Sequence, residues 1–123
     1  MTRATSGTHR RILVIDDHPS VRHGLVELLR TAGQVEAACG GEEALALARR
    51  FRPHAIVVDW HMPVMDGPEF VRRYRREHGR AAIILMSADP TVHDVATELE
   101  VVALSKSGDP SMLAECVARL LPS

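Results

Sequence analysis

Short apolar runs alternate with longer amphipathic stretches five times along this chain. The runs are Arg11–Asp16 (RILVID), Gln34–Cys39 (QVEAAC), Ala55–Asp59 (AIVVD), Ala81–Ser87 (AAIILMS) and Val101–Ser105 (VVALS). Three of them are continuously apolar and rich in β-branched residues, the pattern of parallel strands buried on both faces. The second run is half polar, as an edge strand would be. Between the runs, apolar residues recur at helical spacing. Val21, Leu25, Leu28, Leu29 and Ala32 form one stripe; Ala44, Leu47, Ala48 and Phe51 form another. Phe70, Val71 and Tyr74 follow Pro68, and Val92, Val95, Ala96 and Leu99 follow Asp89-Pro90. Met112, Leu113, Cys116, Val117 and Leu120 follow Asp109-Pro110. An Asp-Pro pair supplies an N-cap and a first helical residue that needs no N–H partner.

Five strand–helix units predict a doubly wound α/β sandwich: a five-stranded parallel sheet with helices on both faces. Residues 1–9 are small, polar and aperiodic and are expected to be a disordered tail, leaving one domain over 10–123. The 123 residues are 46% hydrophobic with a net charge of -1, which offers no global electrostatic attraction to nucleic acid. Cys39 and Cys116 form neither a metal-type spacing nor a disulfide framework, and point to a reducing, cytoplasmic compartment. No apolar run approaches the ~18 residues of a membrane span, and no secretory leader follows Met1. The RRYRRE stretch in the third helical segment reads as a solvated face rather than a nucleic-acid contact. The histidines do not form a zinc spacing. His18 and His61 merely lie near the residues of interest.

Those residues close the runs. The first run ends in Asp16-Asp17, the third in Asp59, the fourth in Ser87, and the fifth is followed by Lys106, the only lysine in the chain. In a parallel doubly wound sheet these ends share one edge, where ligands bind. Two carboxylates ~4 Å apart repel by about 4 kcal/mol at an effective dielectric near 20, so a cluster of three must protonate, spread into solvent or hold a cation. All-oxygen ligands with open positions suit Mg2+. Each residue also has a plain reading: Asp16 and Asp17 as loop and capping residues, Asp59 as a turn residue, Ser87 bonded to backbone, Lys106 in solvent. Asp59 could equally act as a nucleophile that forms an acyl phosphate. Ser87 could donate to a phosphate oxygen, and Lys106 could pair with the carboxylate or its phosphate.

From about Arg10 to Leu121 the sequence resembles the receiver domain of two-component response regulators. The residues that carry the likeness are ILVIDDHPSVRHGLVELL, AIVVDWHMPVMDGPEF, IILMSA and LSK. The resemblance implies a CheY-like sheet in strand order 2-1-3-4-5. It implies Asp59 as phosphoacceptor, with Asp17, Asp59 and the backbone carbonyl of His61 holding Mg2+ directly and Asp16 helping through water. Ser87 would be the switch hydroxyl and Lys106 its charged companion. Asp66-Gly67 would shape the loop into the third helix, and the His61 and Asp89 side chains would tune the phosphoryl lifetime. The implied partners are a sensor histidine kinase or histidine phosphotransfer protein and an unknown downstream protein, with no membrane and no direct DNA binding. The expected assembly is a monomer or weak homodimer, stand-alone and cytoplasmic. The only reaction expected is the protein's own aspartyl phosphorylation and dephosphorylation.

Three departures predict an atypical output face. Ser107 stands where the family usually has a proline in a cis peptide, Ala103 where it often has an aromatic switch residue, and the Ser87–Lys106 interval is about one helical turn short. They leave open a second reading, a pseudo-receiver that binds partners without phosphorylation. A haloacid-dehalogenase-like phosphatase fits less well, because Asp16-Asp17-His18 lacks a second acid two residues after the nucleophile. A flavin binder lacks its phosphate cradle.

Overall fold

The computed structural model describes residues 10–88, 92–106 and 108–122. The expected tail at 1–9, the Asp89-Pro90 cap and Ser107 lie outside the described residues. The alternation read from the sequence becomes five strand–helix units: β1 (Arg11–Ile15), α1 (Pro19–Leu29), β2 (Gln34–Ala38), α2 (Gly41–Phe51), β3 (Ala55–Asp59), α3 (Gly67–Arg76), β4 (Ala82–Ser87), α4 (Val92–Leu99), β5 (Val102–Ser105) and α5 (Pro110–Leu120). All pairings are parallel, in the order β2-β1-β3-β4-β5.

Residues along each central strand alternate between two cores, as the two-residue period of a strand requires. Leu13, Ile15, Ile56, Val58 and Leu85 face the layer built by α2 and α3. Ile12, Val14, Val57, Ile84 and Met86 face the layer built by α1 and α5. The polar second run is an outer strand with exposed Gln34 and Glu36, as its sequence predicts. At the other edge, β5 is only half-buried.

Two stripe residues depart from the expected burial. Val21 on α1 is 39% exposed and Met112 on α5 is 57% exposed. Both lie in the first turns of their helices, which overhang the end of the sheet. Periodicity marks a helical face but not how far the sheet beneath it extends. Ala32 lies beyond the end of α1 but still packs on its core. Helix α4, with 8 residues, is the shortest described helix, in keeping with the short interval before Lys106.

Local caps follow the chemistry of the sequence. The Asp66 side chain accepts from the Glu69 N–H at the start of α3, at 2.9 Å. Asp109 does the same for Ser111 ahead of α5. The arginines of α3 form a solvated ion-pair face: Arg73 binds Glu69 at 2.9 Å and reaches Glu42 at 3.3 Å.

Candidate functional site

The parallel topology carries every strand-end residue to one edge. Asp16 follows β1, Asp59 closes β3, Ser87 closes β4 and Lys106 follows β5. Asp16, Asp59 and Ser87 are 1%, 3% and 1% exposed, the only buried polar or charged residues among those described. Asp16 is held by its own loop. Its Oδ1 accepts from the His18 N–H at 2.9 Å, and its backbone oxygen accepts from Arg22 Nη1 at 2.9 Å. The plain reading of Asp16 as a loop-shaping residue is therefore correct, and it occupies only part of the carboxylate.

Lys106 reaches in from the edge strand. Its Nζ stands 3.0 Å from Asp59 Oδ1 and 3.6 Å from Asp16 Oδ2. Its main chain is fixed by its N–H donating to the Ser87 carbonyl at 3.1 Å. Burial pushes the Asp59 carboxyl above the usual carboxylate range, Lys106 pulls it back down, and the charges of Asp16 and Asp17 add to the rise. Burial works against the Lys106 ammonium, but the hydrogen bond and charge of Asp59, with Asp16, outweigh it and raise its pKa. The lysine is thus a held cation and a poor proton donor.

Asp16, Asp17, His18 and Asp59 each bring a ligand-type atom to within 4.8 Å of one another. Asp17 Oδ1 is buried and has no hydrogen-bond partner. His18 Nδ1 lies 3.3 Å from that oxygen and 3.4 Å from Asp16 Oδ1, without hydrogen-bond geometry at Asp17. An orphaned carboxylate oxygen facing two other carboxylates is a poor arrangement for an empty protein and a good one for a hard, oxygen-seeking divalent cation. The donor set therefore fits Mg2+. Sequence reasoning set His18 aside as a bystander, whereas the fold puts its ring against the cluster. Its position next to Asp17 was the available signal.

The loop after β3 is fixed by backbone bonds. Trp60 N–H donates to the Met86 carbonyl at 2.9 Å, and the Trp60 carbonyl accepts from Gly67 N–H at 2.8 Å. A Cβ on Gly67 would stand 2.6 Å from the Asp59 carbonyl oxygen and 2.8 Å from a Leu85 methyl, so only glycine lets α3 start this close to the acceptor. His61 follows in the same loop with its side chain exposed and its ring centroid 6.1 Å from that of Trp60. Three residues on, Val64 has φ 70 and is fully exposed, an unusual left-handed backbone for a β-branched residue. Ser87 lies one residue beyond Met86, the register partner of Asp59, and opposite Ser105. Ala103 is half-buried and packs on the core beneath α2 and α3.

Comparison with known proteins agrees with this geometry. The description "Response regulator receiver domain" matches residues 12–118. The transcriptional regulatory protein PrrA of Mycobacterium tuberculosis is 39% identical over 117 residues, covering 94% of this chain and 50% of PrrA. The response regulator MprA of Mycobacterium leprae is 36% identical over 111 residues, covering 89% of this chain and 49% of MprA. This chain thus spans about half the length of the curated relatives it matches. Among solved structures, the chemotaxis protein CheY4 of Vibrio cholerae superposes with a TM-score of 0.82 at 30% identity, covering 91% of this chain and 98% of CheY4. The receiver domain of the hybrid histidine kinase CckA superposes with a TM-score of 0.75 at 32% identity, covering 91% of this chain and 99% of that one. On the family match, the strand order and these relatives, the chain belongs to the response regulator receiver domains of two-component signalling.

Proposed function

We propose that this receiver accepts a phosphoryl group on Asp59 from a phosphohistidine of a sensor kinase or phosphotransfer protein, with Mg2+, and then alters its contacts with a downstream protein. The observation that carries the proposal is the buried Asp59 carboxylate, 3.0 Å from the Lys106 ammonium and beside the orphaned oxygen of Asp17.

In this mechanism Lys106 engages Oδ1 of Asp59, and the other carboxylate oxygen attacks phosphorus. A P–O bond forms as the donor's P–N bond breaks, and the electron pair stays with the departing imidazole. Asp16, Asp17, Asp59 and the His61 carbonyl would hold Mg2+, which when bound neutralises charge on the carboxylates and the transferred oxygens. Lys106 keeps the acceptor oriented and then faces the phosphoryl oxygens. The Ser87 hydroxyl, at the end of the adjacent strand, would follow them. The only catalysis proposed is this self-modification and its reversal by water.

Between α1 and α5, an apolar cleft of about 200 Å³ lined by Leu25, Leu28, Leu104 and Met112 opens beside Lys106. Its position suits a helical, histidine-bearing donor that must reach Asp59. A cytoplasmic setting, where such kinases find ATP, suits the two free cysteines. No described helix is long and apolar enough to cross a membrane.

Incubation with acetyl phosphate and Mg2+, read by intact mass, should add one phosphoryl group, and Asp59→Asn should add none. Labelling that survives Asp59→Asn would remove Asp59 as the acceptor. Partner binding that ignores phosphoryl donors altogether would favour the pseudo-receiver reading, to which Ala103 gives some support.

A further inference from the structure

A cavity of about 400 Å³ opens at the opposite end of the sheet from Asp59, between the C-terminal ends of α2 and α3 and the starts of β1 and β4. Strand β3 begins beside it and ends at Asp59, about 13 Å away at the ~3.3 Å rise of a strand residue. It is thus separate from the acceptor site. Its size falls within the range of small-molecule sites. Leu45, Ala48, Pro53 and Ala81 give it an apolar floor, and Arg52, His78 and Arg80 stand on its rim.

Helix C-termini normally draw cations to their free carbonyls. At the end of α2 that demand is met by a residue of β1. Arg11 Nε donates to the carbonyls of Phe51 and Arg52, at 2.8 and 2.9 Å. Arg49 is bound bidentately by Glu77, at 2.9 and 3.0 Å, closing one wall. The Arg52 and Arg80 side chains pair with no acidic group among the described residues. Moreover, Arg52 (φ 52) and His78 (φ 67) hold left-handed backbone just past the ends of α2 and α3, where glycine would be cheaper. The chain thus places an arginine and a histidine at two strained positions around one cavity, with Arg80 close by.

We propose that this cavity binds a phosphorylated small molecule of about nucleotide size, with its phosphates on Arg52 and Arg80 and its apolar portion on the Leu45–Ala48 floor. Such a ligand would report to the receiver from the edge remote from Asp59, independently of the phosphorylation proposed above.

The test is a 1H–15N NMR titration of the full chain with ADP in the presence of a chelator, at constant ionic strength. The chelator removes any metal that could draw phosphates to the acidic cluster. Saturable shifts are expected at the amides of Arg49, Arg52, Gly79, Arg80 and Ala81. The double variant Arg52→Glu/Arg80→Glu should weaken binding by at least about tenfold, as loss of charge-assisted hydrogen bonds implies, and Arg80→Gln should give a smaller loss. Both arginines are exposed, and unchanged amide shifts elsewhere would show that the variants are folded. The proposal is overturned by shifts that do not saturate, that centre on Asp16–His18, or that persist unchanged in the charge-reversed variant.

Discussion

The half of the molecule around β1, β3, α2 and α3 differs in kind from the half around α4 and β5. In the first, every residue of β3 is buried and α2 and α3 each bury five residues. In the second, no residue of β5 is buried, and α4 buries Ala96 among its described side chains. Asp16 and Asp59 stand on the tight half, while Lys106 reaches across from the loose one. In the proposed phosphotransfer, the carboxylates must hold fixed geometry for a metal and an attacking oxygen. There the lysine side must be able to rearrange once charge appears on Asp59, and low local burial makes rearrangement cheap.

Core truncations should expose the contrast most strongly. Phe70→Ala in α3 removes a fully buried ring and should cost about 3–5 kcal/mol, whereas Leu99→Ala, at a half-buried position of α4, should cost clearly less. Urea unfolding of both variants checks this, and equal losses would erase the distinction between the halves.

Gly67→Ala comes next. Its new methyl would press on the Asp59 carbonyl and on Leu85, and overpacking of this kind costs about 1–3 kcal/mol. The same variant should lose Mg2+ affinity, measured by titration calorimetry, because the displaced backbone is that of Asp59, a ligand in the proposed mechanism. By contrast, a Cβ on Gly24 in α1 meets nothing within 4 Å, so Gly24→Ala should stabilise slightly.

Charge gives a subtler separation. Burial holds the Asp59 carboxyl above its ordinary 3.8, so ionising it in the fold costs stability. That cost is absent below the unfolded-state value. It develops as pH rises from there through the folded value and stays constant above it. Chelated wild type should therefore lose stability across this window relative to Asp59→Asn, with the two converging at low pH. Thermal melts against pH would show it, and added Mg2+ should narrow the gap.

The smallest effect belongs to the loop. Val64→Gly relieves a left-handed β-branched residue and pays part of that gain back in unfolded-state entropy, leaving about 0.5–1 kcal/mol of stabilisation by urea unfolding.

The sequence made the frame of this molecule legible because its signals are periodic. Apolar runs fixed the three central strands, the half-polar QVEAAC marked an edge, and Asp109-Pro110 and Asp66-Gly67 marked helix starts. The acidic pair, Asp59, Ser87 and Lys106 could be grouped because parallel topology sends strand ends to one side. What escaped depends on distances that no period encodes. The need for glycine at position 67 arises from a carbonyl eight residues earlier and a leucine from another strand. The place of His18 against Asp17 depends on how the β1–α1 loop turns. The exposure of Val21 and Met112 depends on where the sheet beneath them stops. The hold of Arg75 on the Leu99 and Glu100 carbonyls links α3 to the end of α4, and nothing in the RRYRRE pattern distinguishes that arginine from its neighbours.

The single lysine has a practical consequence for handling the protein. Amine-directed reagents will find a single side-chain target among these 123 residues, Lys106. The carboxylates around Lys106 keep it protonated and therefore unreactive toward acylation. Under mildly alkaline coupling, fluorophores and biotin should therefore spare Lys106 and leave the surroundings of Asp59 untouched.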